Sequence, residues 1–272
     1  MTRPVYARSG SSKTTICKDC GQQLSWGDNK AGKRIPLNED GTNHFRTCSH
    51  KYHEADRKIQ ATSYLRKHYK KPTHIICLDL ETTGLNPDNS VVTQIGAVAV
   101  ELGSLKIVNK IDIKLQFDTL EANASALAVQ DYYNRSKEWD KALTPNDAAD
   151  ALLNWLKQYE TPSFINRKGG IVNTTIVCGH NYLNFDSYFL RALYKDTNRK
   201  YPFMRELDTM HMAIEEEVFN RTTFYGSYPL DHVRARLGIK RNPDAHDAVV
   251  DATITALSLI KMIRTRKEMK IA

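Results

Sequence analysis

The run Ile75-Ile76-Cys77-Leu78-Asp79-Leu80-Glu81-Thr82-Thr83-Gly84-Leu85 constrains this chain more than any other stretch. Its apolar, β-rich opening predicts a buried strand. Alternate side chains of a strand share a face, so Asp79 and Glu81 project to the same side. Two carboxylates that close repel each other, and both stay ionised only with a cation between them. Magnesium or manganese, hard ions that take oxygen ligands, suit such a pair. The glycine allows a sharp turn, and the threonines place hydroxyl and N–H groups where a substrate can reach them. A surface strand can also end in acids with no metal, so the missing ligands must come from elsewhere in the chain.

The same periodicity organises residues 73–272. Strands are expected at 74–80, 91–101 and 105–116, the last two separated by a turn at Gly103. Thr144-Pro145-Asn146 caps a helix over 145–159, whose Ala148, Leu152, Trp155, Leu156 and Tyr159 recur at helical spacing and form a core stripe. A strand at 175–178, a helix at 186–194, a strand at 205–208 and helices at 209–219 and 229–237 follow. The final helix, 247–266, buries Val250, Ile254, Leu257, Ile260, Met262 and Ile263. This order describes an α/β domain built on a mixed sheet.

The N-terminal part is different. Residues 1–16, rich in Ser, Thr, Lys and Arg, read as a flexible tail. Residues 17–53 hold Cys17-x2-Cys20-Gly21 and close with His44-x3-Cys48, four ligands of the kind tetrahedral zinc needs. The segment is turn-rich and too short to form much core without a metal staple. The turn at Asp40-Gly41 returns His44 and Cys48 toward the first pair; His50 and His53 are alternatives to His44. The segment resembles small treble-clef or ribbon-like zinc modules of nucleic-acid enzymes. Residues 54–72 read as a basic helical linker ended by Pro72.

Charge follows this division. Residues 1–72 hold 15 Lys+Arg against 6 Asp+Glu, and the remainder holds 24 against 25. A basic appendage on a near-neutral body suits a polyanion partner or a solvated basic face. Clustered cysteines beside histidines favour metal over disulfides, and Cys77 and Cys178 lie in apolar runs as buried thiols, so an intracellular compartment (cytoplasmic or nuclear, not secreted) is expected. No apolar run approaches membrane-spanning length, and no membrane partner is expected.

Two further acidic stretches complete the pattern: Gly179-His180-Asn181-Tyr182-Leu183-Asn184-Phe185-Asp186 after a β-like run, and Ala245-His246-Asp247-Ala248-Val249-Val250-Asp251 at the start of the last helix. With these the chain resembles the DEDDh 3′→5′ exonucleases of the RNase H-like superfamily over about residues 73–265. That family carries D-x-E ending its first strand, HN-x(2,3)-[FY]-D after the fourth, and H-x4-D on its last helix.

The resemblance implies an RNase H-like, mixed five-stranded sheet flanked by helices, preceded by the zinc-stapled module. It implies that Asp79, Glu81, Asp186 and Asp251 hold two Mg2+ or Mn2+ ions roughly 3.5–4 Å apart. It makes His246 the general base. Thr82, Thr83, Gly84 and Leu85 would hold the terminal nucleotide, with Leu85 wedged against its base. His180, Asn181 and Phe185 would be further substrate-side residues. Asp247 stands where the sister DEDDy group has Tyr; it reads as a helix N-terminal acid favoured by the macrodipole. Asp208 matches a family acid that is usually structural.

The expected activity is hydrolysis of single-stranded 3′ ends to nucleoside monophosphates, with DNA favoured because three residues separate Asn181 from Phe185, as in TREX-like enzymes. RNA trimming in the manner of oligoribonuclease or RNase T is the alternative. A non-catalytic nucleic-acid-binding or scaffold protein working through the zinc module is a further alternative, disfavoured by the intact acidic set. A homodimer is left open. A polymerase partner is disfavoured, since Gln23-Leu24-Ser25 lacks the aromatic ending of a sliding-clamp peptide.

Overall fold

The computed structural model describes residues 15–29, 31–48, 59–60, 62–63, 72–220, 227–240 and 246–269. These divide into two compact units, one within Met1–Tyr69 together with Pro162–Val172, the other within Lys70–Thr161 together with Asn173–Ala272.

In the first unit, β1 (Thr15–Ile16), β2 (Gln23–Asp28) and β3 (Arg34–Leu37) form an antiparallel sheet, followed by the single turn α1 (His44–Thr47). Thr15 and Ile16 pair with Leu24 and Gln23, so the strand begins inside the stretch expected as a tail. Residues 1–14, His50 and His53 lie outside the described residues, as does most of the expected basic linker; its residues 59, 60, 62 and 63 are helical.

The second unit is built on β4 (His74–Thr82), β5 (Val92–Glu101) and β6 (Lys106–Lys114), an antiparallel meander. The segment after β6 carries α2 (Ala124–Val129), α3 (Tyr132–Arg135) and a 3-10 turn at Ser136–Trp139. Then come α4 (Pro145–Leu156), the hairpin β7 (Thr161–Ile165) and β8 (Ile171–Thr174), most of which belongs to the first unit, and β9 (Ile176–Gly179). The chain continues through α5 (Asp186–Asp196), β10 (Arg205–Asp208), α6 (Thr209–Asn220), α7 (Leu230–Arg236) and α8 (Ala248–Met269). The five-stranded sheet has the order β10-β9-β4-β5-β6, with β9 parallel to both β4 and β10. The mixed α/β architecture is as the sequence predicts.

Strand alternation decides what each face meets. Ile76, Leu78 and Leu80 join Leu152 and Leu156 of α4 and Phe189 and Leu190 of α5 in one core. Ile75 and Cys77 join Val98, Val100 and Ala252, Ala256, Leu259 and Ile260 of α8 in the other. Asp79 and Glu81 continue the odd-numbered series and therefore lie on the α8 face. That helix begins very close to the sheet. A Cβ on Gly96, the β5 partner of Asp79, would stand 2.1 Å from the backbone carbon of Ala248 and 2.3 Å from Val249 N. Only glycine lets strand and helix approach so closely.

Two parts had no sequence expectation. The hairpin β7–β8 follows α4 in the sequence, and Asn166 Oδ1 accepts from Lys168 N and Gly170 N at its tip, both at 2.9 Å. Helices α2 and α3 fill the connection between β6 and α4.

Candidate active site and metal centres

The strand alternation above and the close seat of α8 bring one oxygen each of Asp79, Glu81 and Asp251 within 4.8 Å of one another. Asp186, the first residue of α5, is buried, and its Oδ1 accepts from Leu80 N at 3.0 Å. It stands outside that three-acid cluster but acts on it electrostatically.

Burial pushes Asp79 well above the usual carboxylate range, reinforced by the charges of Asp186, Asp251, Glu81 and Asp247. Burial likewise raises Glu81 to about 8, with Asp251 and Asp247 adding to the effect and Arg135 opposing it. Asp186 rises to about 8, again mainly through burial, against the hydrogen bonds from its own N–H and that of Leu80. Acids so placed ionise together only when a cation joins them. The donor set is all oxygen, which fits magnesium or manganese.

His246 is exposed, two residues before the first residue of α8, in a left-handed conformation with φ +66°. It lies outside the carboxylate cluster. Asp247, beside it, is far more engaged than a macrodipole partner. Its Oδ1 accepts from Val249 N (3.0 Å) and Val250 N (3.2 Å). Its Oδ2 faces Gln94 Nε2 (3.1 Å), Lys114 Nζ (3.4 Å) and Arg135 Nη2. Burial would raise its carboxyl, but Gln94, Arg135 and Lys114 outweigh that and hold it at about 2.

The turn after β4 splits the four residues read as nucleotide-binding. Thr83, Gly84 and Leu85 line an open cavity of ≈380 Å³ together with Asn86, Asn89 and Asn123, and Leu85 is 85% exposed. Thr82 is turned inward: its hydroxyl donates to Gly84 O at 2.7 Å, and its carbonyl accepts from Gln130 Nε2 at 2.7 Å.

The second motif is more structural than its pattern implies. His180 Nδ1 lies 3.0 Å from Thr209 Oγ1 and its Nε2 2.7 Å from Tyr228 O, so neither nitrogen is left for substrate. Burial lowers its pKa, against the opposing effects of the Tyr228 carbonyl and Asp208. Phe185 packs against the core and Phe189, with ring centroids 5.0 Å apart. Asn181 is partly exposed at φ +61°, in a turn fastened by Asp208. The buried Asp208 carboxylate accepts from Asn181 N (3.0 Å), Leu183 N (3.2 Å) and Met210 N (2.9 Å).

The other ligand group lies in the first unit. One atom each of Cys17, Cys20, His44 and Cys48 falls within 4.8 Å of the others. Gly21, at φ +75°, supplies the left-handed residue that closes the Cys17–Cys20 knuckle, with Gly21 N donating to Cys17 O at 2.9 Å. Cys17 Sγ and Cys48 Sγ are 4.0 Å apart, far beyond a disulfide bond. Tetrahedral zinc with Zn–S of ~2.3 Å would set its sulfurs ~3.8 Å apart. His44 is buried; its Nδ1 meets Asn38 Oδ1 at 2.7 Å, and its Nε2 lies 3.5 Å from Cys20 Sγ. The Asn38 contact is the outer hydrogen bond a ligating histidine ordinarily makes, and it frees Nε2 for the ion. Hydrogen bonds from the Cys20 and Asp19 backbone, and from His44, lower the Cys17 thiol to about 6, favouring the thiolate a metal requires.

Comparison with known proteins agrees with this geometry. The family model described as "Exonuclease" matches residues 76–259, over two thirds of the chain and all four acids. The chain belongs to the exonuclease family. Its resemblance to the DEDDh 3′→5′ exonucleases is thereby borne out.

A curated relative is a DNA polymerase III PolC-type protein of Mycoplasmopsis pulmonis (strain UAB CTIP), 24% identical over 194 residues. The match takes in 71% of this chain but 12% of that protein. Among solved structures, the zinc-bound E. coli ExoI–ssDNA complex is 15% identical with a TM-score of 0.56, covering 73% of this chain and 42% of that one. The nuclease domain of 3′hExo, a DEDDh family member bound to rAMP, is 15% identical with a TM-score of 0.55, covering 72% and 94%. Cell-death related nuclease 4 is 15% identical with a TM-score of 0.56, covering 71% and 64%. These structural likenesses show the fold.

Several residues carried no expectation from the sequence: Gly96, Gln130 and Arg135 around the acids, and Asn38 at the separate Cys/His group. Gly96 alone had a local signal, an isolated glycine within a strand pattern.

Proposed function

We propose that this chain is a metal-dependent 3′→5′ exonuclease that releases nucleoside monophosphates from single-stranded 3′ ends, with DNA as the favoured substrate. The observation that carries the reading is the convergence of Asp79, Glu81 and Asp251 beside the buried Asp186. Asp79, Glu81, Asp186 and Asp251 hold two Mg2+ or Mn2+ ions, which when bound activate the attacking water and stabilise the leaving 3′-oxygen. His246 takes the proton of that water; its exposure leaves the ring open to solvent and substrate. Thr83, Gly84 and the exposed Leu85 form the wall against which the terminal nucleotide rests. Asn181 contributes to the substrate side, while His180 and Phe185 hold the scaffold behind it. Cys17, Cys20, His44 and Cys48 hold one structural Zn2+, and the basic N-terminal part grips the nucleic acid.

The preference for DNA rests on the three-residue spacing from Asn181 to Phe185. Matched single- and double-stranded DNA and RNA oligonucleotides, labelled at the 5′ end and digested with Mg2+ or Mn2+, resolve products by length. A ladder shortening from the 3′ end of single-stranded DNA is expected. Faster shortening of RNA would transfer the activity to exoribonuclease trimming. Glu81→Ala and Asp186→Ala are expected to abolish cleavage while leaving the circular dichroism spectrum unchanged; activity surviving either change would refute the assigned site.

A further inference from the structure

Asp247 stands directly before α8 and directly after the residue assigned as general base, yet it is not among the clustered acids. Its carboxylate instead collects donors from four separate elements: Gln94 of β5, Lys114 at the end of β6, Arg135 at the end of α3, and the first-turn amides of α8 itself. The Asp247, Lys114 and Arg135 side chains are only 13%, 10% and 22% exposed, so the cluster is largely screened from water.

The partners are themselves held. Arg135 is fixed by Glu138 through Nε (2.8 Å) and Nη2 (2.9 Å), and its Nη1 donates to Gln130 O (3.4 Å). Lys114 lies 3.3 Å from Glu138 and 4.8 Å above the Trp139 ring. Gln130 is buried; its amide donates to Thr82 O and its Oε1 accepts from Thr93 Oγ1 at 2.8 Å. One continuous set of bonds thus runs from the residue after Glu81 to the residue after His246.

We infer that Asp247 and Arg135 are positioning residues, a clamp that fixes the start of α8 and thereby the backbone on which the exposed His246 is carried. His246 stands at φ +66°, in the left-handed region that few non-glycine residues occupy, directly before the bonded Asp247. The residue after the histidine therefore acts through its neighbour, outside the cluster of Asp79, Glu81 and Asp251. The inference deepens the exonuclease reading and rests on it.

The test compares wild type, Asp247→Asn, His246→Ala and the double variant on a 3′-labelled single-stranded oligonucleotide, with Mn2+ affinity measured on each. Asparagine keeps the oxygen that caps Val249 and Val250 but removes the charge that Arg135 and Lys114 face. Asp247→Asn is expected to lower kcat about 10-fold or more with KM and Mn2+ affinity held within about 2-fold. In the His246→Ala background the same change should cost less than about 2-fold, since a residue acting through the histidine has nothing left to position. Arg135→Lys should retain more rate than Arg135→Gln. An equal loss in both backgrounds, a loss of Mn2+ affinity, or a wild-type rate would overturn the clamp.

A wild type that cuts no oligonucleotide, or a His246→Ala variant with the full rate, would count against the exonuclease reading instead. The His246 imidazole resonances of Asp247→Asn then decide the clamp. They should shift while those of His74 stay in place, and an unshifted His246 overturns it.

Discussion

Replacing Gly96 with alanine tests whether the closeness of α8 to the sheet builds the active site. The added Cβ would stand 2.1 Å from the backbone carbon of Ala248, where ordinary contact begins at 3.4 Å. The start of α8 must then retreat by about 1.3 Å, or β5 must yield by as much, because the obstructing atoms are backbone. Asp251 is one turn along that helix, and the oxygens it must join lie within 4.8 Å. A misplacement of ~1 Å at a reacting centre costs about 100-fold in rate. Overpacking of this kind costs about 1–3 kcal/mol of stability, a fall in Tm of roughly 2–10 °C for a domain of this size.

Exonuclease rate, Tm without metal and Tm with saturating Mn2+ are to be measured on Gly96→Ala and on Gly103→Ala. The latter lies at the β5–β6 turn, where an added Cβ meets nothing within 4 Å. Gly96→Ala is expected to lose about two orders of magnitude in kcat and most of the Mn2+-induced rise in Tm, with Gly103→Ala close to wild type. A Gly96→Ala protein with wild-type kcat and an undiminished response to Mn2+ would refute the reasoning.

Other consequences are open to measurement. Glu81, Asp186 and Asp79 have folded-state pKa values above their ordinary ones, so the folded state binds extra protons. Stability of the metal-free protein should be full below about pH 4 and fall as pH rises toward 8. Glu81 alone, raised from 4.5 to about 8, represents on the order of 4–5 kcal/mol. Urea titrations in EDTA at pH 5 and pH 8 should show this decline, and Mn2+ should restore more stability at pH 8 than at pH 5; a flat profile would contradict it. Asn38→Ala should weaken zinc binding about 10–100-fold while Cys20→Ser removes the ion, read by chelator release; unchanged zinc content in Cys20→Ser would refute the site. His180→Ala should cost about 1–3 kcal/mol in denaturant titration but leave the KM for a short oligonucleotide unchanged, because both ring nitrogens serve the scaffold.

The parts of this molecule readable in its sequence are those governed by local periodicity. Strand alternation alone put Asp79 and Glu81 on one face, and the strands β4, β5 and β6 follow their apolar runs closely. Asp186 and Asp251 are brought in by order and spacing, which is why a family resemblance could name them. The hairpin β7–β8 escaped because its residues, half-buried apart from the exposed Asn173 and buried Thr174, do not alternate. Gln130, Arg135 and Asp247 have, beside local partners, others 37 to 153 residues away, and no local pattern encodes these. His180 shows the reverse limit. The motif placed a histidine at the right position, but only its neighbours show that both nitrogens are spent.

The first strand of the nuclease unit and its last helix each bring part of one ligand cluster. A polypeptide still being synthesised holds Asp79 and Glu81 long before Asp251 has been added. Until α8 has been made and seated on Gly96, the partial chain carries two repelling carboxylates and no competent site. On the proposed reading, any cleavage that needs Asp251 beside Asp79 and Glu81 waits for the final helix of the unit.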